Sequence, residues 1–391
     1  MNPIRKLFDN IKPHVEEGGK YHAFRSLVDG FETFAFVPNT TSRVGSVNIH
    51  DAIDSKRIMS FVVIALIPAL LFGMYNVGYQ NALAAGQLAN TTFWSMFLYG
   101  ALAVLPKIIV SYAVGLGIEF VVAQWKNEEI QEGFLVSGII IPLIVPVTLP
   151  LWMLAIAVAF SVILAKEIFG GTGMNIFNPA LITRAFLFFS YPSAMTGDNS
   201  VWVSTEKILG FGNELTTDAV SGATPLGEAA QQGFAGFDCD LIQNAIVGLI
   251  PGSIGETSVI AIALGGLLLL WTGVASWKIM LSVFVGGAAT GYLMQALGLT
   301  AVQWYEHLVL GGFAFGAVFM ATDPVTSCRT ECGKYVYGLL IGFIAVLVRV
   351  LNPGYPEGMM LAILLLNLFS SLIDYCFVQK NISMRAKRAT K

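Results

Sequence analysis

Residues 92–122, TFWSMFLYGALAVLPKIIVSYAVGLGIEFVV, decide the class of this chain. The run is longer than the ~20 residues an α-helix needs to cross ~30 Å of hydrocarbon. Pro106 and Lys107 interrupt its middle, so it forms either one kinked, tilted helix or two pieces, and it counts here as one crossing. Outward from it lie apolar runs at 58–75, 134–147, 151–165 and 180–191, and then at 258–272, 277–296, 304–321, 335–350 and 359–378. Together they make about ten crossings. Two of them, 134–147 and 180–191, fall below the ~17 residues of a full span and need protein or cofactor around their ends.

Composition agrees. The 391 residues are 55% hydrophobic and 12% charged, with a mean hydropathy of +0.70, against ~25% charged residues in soluble domains. A net charge of −3 without a long basic stripe excludes phosphate-backbone recognition, so no nucleic-acid partner is expected. The first 57 residues are charged and amphipathic, lack the apolar core and cleavage site of a signal peptide, and are expected to be retained. Lys and Arg gather in cytoplasmic loops. Eight of the 22 fall in this first segment and five in the tail from Lys380; Lys126, Lys166, Arg184, Lys278, Arg329 and Lys334 fall in or beside loops on the same side, leaving Lys107, Lys207 and Arg349. Both termini are therefore expected in the cytoplasm, with the acidic stretch 192–256 outside.

Five segments on each side of that stretch give halves of opposite topology, and landmarks coincide. The third segment of each half ends at a proline break, Val145-Pro146 through Pro150 and Asp323-Pro324; the fifth is entered through Asn178-Pro179 and Asn352-Pro353. The expected fold is an all-α integral membrane protein of about ten transmembrane helices in two inverted five-helix repeats, 58–191 and 257–378, resembling a urea/ammonium-transporter-like core. An amphipathic segment 1–57 precedes it, an outer loop 192–256 divides it and a basic tail 379–391 follows. Such folds place their sites where the halves meet. Glycine pairs at 265–266, 286–287 and 311–312 permit close helix approach.

Several constellations carry chemistry. The outer loop contains D-x-x-S-G-A-T-P-L, from Asp218 through Ser221, Gly222, Ala223 and Thr224 to Leu226. A hydroxyl on a flexible outer loop is within reach of an external enzyme, which makes Thr224 a candidate acceptor for a tethered flavin. Thr172, Asn175 and Asn178 lie in an inner connection between short helices, where irregular backbone is tolerated only if protein buries it or it lines a cavity. Its glycines follow a helix, not the strand a dinucleotide-binding turn requires. Asp323 and Asp374 are carboxylates at or within spans, which are functional hypotheses by default; Glu132 and Glu16 stand near helix starts, where a solvated carboxylate is also at home. Phe315 and Phe319 are four apart and share a helical face. The amphipathic stretch 8–36 offers Tyr21, His22, Phe24, Phe31 and Phe34 beside basic residues, as an interfacial helix does, and a pocket between it and the first and third segments could admit a lipid-soluble ring at Gly133 and Phe134. Cys239, Cys328, Cys332 and Cys376 are too dispersed for a four-cysteine metal site and read as free thiols; the four histidines are scattered, so no metal centre is expected.

Taken with G-G-K-Y-H-A-F at 18–24, K-E-I-F-G-G-T-G-M-N-I-F-N-P-A-L at 166–181, F-M-A-T-D-P-V at 319–325 and N-P-G-Y-P-E-G-M-M-L-A-I at 352–363, the chain resembles, over nearly its whole length, the B-subunit family of sodium-translocating NADH:quinone oxidoreductases. The resemblance implies a subunit of a multisubunit complex in the bacterial inner membrane. It implies covalent FMN on Thr224, placed there by a magnesium-dependent flavin transferase, and a non-covalent riboflavin near Thr172, Asn175 and Asn178. It implies ubiquinone or menaquinone as substrate on the cytoplasmic side. A sodium path is implied at positions matching Asp323, Asp374, Glu132, Glu16, Phe315 and Phe319, with NADH oxidised by another subunit. Two alternatives stay open. The sister D-type subunit of ferredoxin:NAD oxidoreductases shares the core and the motif; a small-solute transporter would share the inverted halves and leave the motif unexplained.

Overall fold

The computed structural model describes residues 3–15, 25–36, 55–126, 133–196, 200–214, 222–231, 239–352, 354 and 357–389. Among them, regular structure is helical, apart from one isolated bridge between Ile208 and Phe211. Two amphipathic helices, α1 (Pro3–Val15) and α2 (Arg25–Ala35), precede α3 (Ser55–Ala84), α4 (Phe93–Lys126), α5 (Phe134–Leu143), α6 (Leu151–Ser161) and α7 (Pro179–Ser190). Short helices α8 (Pro225–Gln231) and α9 (Cys239–Val247) follow, then α10 (Val259–Thr272), α11 (Trp277–Ala296), α12 (Glu306–Val309), α13 (Phe313–Phe315), α14 (Glu331–Leu351) and α15 (Met359–Ala389). Five described helices, α3, α4, α11, α14 and α15, are long and apolar enough to cross a membrane, while α5, α7 and α10 are shorter apolar helices.

The 92–122 question resolves in favour of one helix, because α4 continues through Pro106. It packs on α3 almost backbone to backbone: a Cβ on Gly100 would collide with the Met74 carbonyl oxygen, and one on Gly78 with that of Met96. The α11–α14 contact repeats the device with Gly342 against Val283 and Gly286 against Leu339. Small residues serve here because lipid tails supply no hydrophobic reason for helices to associate.

A helix that stops inside the apolar layer leaves carbonyls that only protein can satisfy. After α5 ends, Leu143 O accepts from Gly255 N–H at 2.8 Å, Ile144 O from Arg184 at 2.6 Å and Val147 O from Lys107 at 2.5 Å. In the second half Arg349 donates to His307 O at 2.6 Å and Leu310 O at 3.2 Å. Lys107 and Arg349 therefore escape the basic-loop pattern because they are buried caps. Arg184 departs from the loop assignment for the same reason: it lies inside α7 and is 2% exposed.

Two further expectations change. The run 304–321 is not one crossing helix but α12, α13 and a π turn at Gly316–Met320. Gly311 takes a left-handed φ of +64°, and a Cβ on Gly312 would stand 2.9 Å from a Glu256 carboxylate oxygen, so the chain turns tightly against that acid. The Asn-Pro landmarks also play different parts. Asn178 caps α7, accepting from Ala180 N–H at 3.0 Å with proline at the first turn, whereas Asn352 closes α14 and accepts from Gly354 N–H at 3.2 Å. The basic tail continues α15 as far as Ala389. At the other end, α1 and α2 pair through Lys12 and Glu32 at 2.9 Å and an edge-on Phe8–Phe36 contact, and α2 packs on α4.

Candidate functional site

The start of α3, the start of α5, the connection 166–179, the turn after α10 and the break at 319–325 converge on one cavity of about 100 Å³. Residues from both halves form its wall. Thr172, Asn175 and Asn178 stand in it with Gly133, Phe319 and Asp323, all six of them singled out in the sequence. Ser137, Lys166 and Thr322 line it as well and were missed as site residues.

Local structure explains the convergence. Gly133 lets the 166–179 connection close down on α5, since a Cβ there would collide with Thr172 Cγ2 and stand 2.7 Å from its Oγ1. Asn178 caps α7 with its oxygen, which leaves its Nδ2 to donate to Asp323 Oδ2 at 3.3 Å, a contact between halves. Asp323 also accepts from Val325 N–H and the Thr326 hydroxyl, each at 3.1 Å. Those three donors satisfy a carboxylate that burial removes from water.

Each half contributes one wall residue from a π turn. Lys166 sits in Val162–Glu167, which continues α6, and pairs with Glu119 of α4; both side chains are 4% exposed. Phe319 sits in Gly316–Met320, its ring centroid 5.0 Å from that of Phe315. Such turns insert one residue into an α-helix and recur at functional sites. Glu119 was legible as an acid inside an apolar run; its partner was not.

The wall offers amides, hydroxyls, one carboxylate and a cation already matched by an acid, over apolar Val62, Ile140 and Leu269. That donor set suits the edge of a neutral, flat ring carrying carbonyl and N–H groups. A phosphorylated cofactor would call for uncommitted cations.

Other sequence candidates lie elsewhere. Phe134 is fully buried, its ring against Gly115 and edge-on to Tyr112, and does not face the cavity. Asp374 is not part of the wall either: it accepts from the Arg329 and Thr330 N–H groups at 2.8 and 3.0 Å and from the Thr330 hydroxyl at 2.5 Å, fixing the turn before α14. Glu16, Glu132, Asp218, Ser221, Tyr21, His22 and Phe24 fall outside the described residues. Cys328 donates to Ser370 O at 3.3 Å, and burial pushes its thiol up to about 12.

Thr224 opens α8, with Pro225 at the first helical position. Its Oγ1 accepts from Gly227 N–H at 3.1 Å, an N-cap bond. The described part of the motif, 222–226, is anchored: Gly222 is buried, Ala223 and Thr224 are half-buried, and Leu226 packs with Ala245, Ile250 and Leu310. Leu226 also rests on Gly311, next to Arg349.

A second polar constellation is buried near there. Arg184 binds Glu256 at 3.0 Å and also pairs with Glu357, joining α7 to the segments that enter α10 and α15.

The chain is 44% identical to the B-subunit of the Na(+)-translocating NADH-quinone reductase of Chromohalobacter salexigens, over 98% of this chain and 96% of that one. Identity is 42% to the proteins of the same description from Pseudomonas paraeruginosa and Klebsiella pneumoniae subsp. pneumoniae, over 98% of this chain and 99% of each relative. The family model described as NQR2, RnfD, RnfE matches residues 43–383, which take in the cavity wall and the Thr224 motif alike. With relatives of this identity aligned nearly end to end, the chain belongs to the NQR2, RnfD, RnfE family.

Proposed function

We propose that this chain is the membrane-embedded electron-transfer subunit of a sodium-pumping NADH:quinone oxidoreductase. In this reading it works with other subunits in the bacterial inner membrane, takes ubiquinone or menaquinone as substrate, and leaves NADH oxidation to another subunit. Near full-length similarity to B-subunits of the Na(+)-translocating NADH-quinone reductase supports it over the D-type alternative. The observation that carries it is the polar cavity between the halves, with Asn178 of one bonded to Asp323 of the other. A solute carrier gives no reason for the Thr224 motif.

The topology proposed with it has two inverted five-segment halves, 58–191 and 257–378, with both termini in the cytoplasm and the Thr224 loop outside. Thr172, Asn175 and Asn178 hold riboflavin by amide and hydroxyl contacts, and Thr224 carries FMN through a phosphoester placed by a flavin transferase that reads Asp218 to Thr224. Bound flavins supply reversible one- and two-electron transfer. The chain's own residues fix the ring edge, keep water out through Val62, Ile140 and Leu269, and balance charge through Lys166 and Glu119. Quinone approaches the start of α5 at Gly133, with Phe134 packed behind it. Asp323 and Phe319, with Phe315 behind, form the sodium path beside that ring, and Glu16, Glu132 and Asp374 bring the ion to and from it.

In-gel flavin fluorescence and intact mass test the covalent site, and acid extraction tests the other. Thr224→Val loses the covalent flavin and keeps riboflavin, while Asn178→Ala loses riboflavin and keeps the covalent flavin. Thr224→Ser keeps both the N-cap and a hydroxyl. A flavin adduct surviving Thr224→Val, or full riboflavin content in Asn178→Ala, overturns the corresponding assignment.

A further inference from the structure

Beside the junction cavity lies a larger one, about 600 Å³, with no part in the function above. It shares Val274, Ala275, Thr322 and Pro324 with its neighbour and sits where α10 ends and α11 and α14 begin. Three cations line it, Lys278, Arg329 and Lys334, against one carboxylate, Glu331. Both lysines bind that carboxylate, Lys334 at 2.7 Å. The Arg329 guanidinium has neither hydrogen bond nor ion pair among the described residues; only its backbone N–H is engaged. A planar donor fork with no partner, beside two half-neutralised ammonium groups, is the chemistry that binds phosphoryl oxygens.

The apolar surroundings say where the phosphoryl group comes from. Leu270 lines the cavity, and Leu267 one turn earlier on α10 is 63% exposed. On α11, Leu281 lies one turn beyond Lys278 and is 50% exposed. Trp277 is 53% exposed at the start of that helix, as aromatic residues are at a membrane–water boundary. Cations at the level where spans end, with bare leucines one turn further along the same faces, match a molecule with an anionic head and acyl tails.

We infer that this cavity is a binding site for the headgroup of an anionic phospholipid, with Arg329, Lys278 and Lys334 on the phosphate and the tails along Leu267 and Leu281. Because the two cavities share a wall, the lipid also buttresses the turn that carries Thr322 and Pro324.

The full chain in phosphatidylcholine nanodiscs, doped with spin-labelled phosphatidylglycerol or spin-labelled phosphatidylcholine, tests this through the motionally restricted fraction of the label. The expected result is a preference for the glycerol headgroup that falls about fivefold for each cation removed, in Arg329→Gln and again in Arg329→Gln/Lys334→Gln. Lys278→Arg keeps the charge and the preference, which separates loss of binding from misfolding. Equal restriction of both labels, or an unchanged preference in the double variant, overturns the assignment. Displacement of the label by millimolar glycerol phosphate overturns the lipid source and assigns a soluble phosphate instead.

Discussion

Replacing Arg184 with methionine tests how far the buried charges hold the halves together. The guanidinium, 2% exposed, serves Ile144 O at 2.6 Å, Glu256 at 3.0 Å and Glu357, with Ser253 Oγ a weaker partner at 3.4 Å. Methionine fills much of the volume and returns none of those bonds. Two carboxylates then face each other and the Ile144 carbonyl keeps only the long Ser253 bond at 3.4 Å, for which the expected cost is roughly 3–5 kcal/mol, a factor of hundreds or more in the unfolding equilibrium. Neutralising one carboxylate relieves part of it, so Arg184→Met/Glu256→Gln should be less destabilised than the sum of the single changes by at least ~1 kcal/mol. Unfolding of the purified chain, titrated with SDS in mixed micelles at alkaline pH, measures all three. Additive losses, or a single-change cost below ~1 kcal/mol, would refute the claim that this cluster is coupled and bears on stability.

Burial pushes the Glu256 carboxyl up to about 7 from an ordinary 4.5, against the pull of Arg184. The folded chain therefore holds a proton there that the unfolded chain has released, so this group's contribution is complete below 4.5 and lost as pH rises through 7. Glu256→Gln should flatten that part of the stability profile, and an unchanged slope when the SDS titration is repeated across that pH window argues against it. Gly133→Ala would drive a methyl into Thr172 Cγ2; it should cost about 1–3 kcal/mol through overpacking and lower the flavin released by acid extraction. Thr172→Ser, which removes that methyl, should restore part of both, and no rescue would count against the contact.

Much of this molecule can be read along the chain because the reading is local. Apolar runs announce their own helices, and an Asn before a Pro announces the cap on α7. The polar group at 172–178 stood out because such residues need a buried reason to sit at that depth. What escapes a linear reading is pairing across long separations. Lys166 looked like a loop charge until Glu119 faced it, and Arg184 until Glu256 and Glu357 did. The run 304–321 is apolar enough to be mistaken for a span, because composition does not register the left-handed turn at Gly311 or the π geometry after it. Asn352 and Asn178 share a dipeptide and nothing in it distinguishes the end of one helix from the start of another.

The two π turns make the cavity sensitive to chain length as well as to residue type. Each carries a surplus residue, so deleting one position within 162–167 or 316–320 would let ordinary α geometry return. The flanking residues would keep their register, while the side chains carried inside the bulge would be re-aimed. Lys166 or Phe319 would leave the cavity with no change in its chemical identity. A side-chain exchange at exposed Ile163 is a small perturbation; loss of that same position re-aims the lysine on the wall.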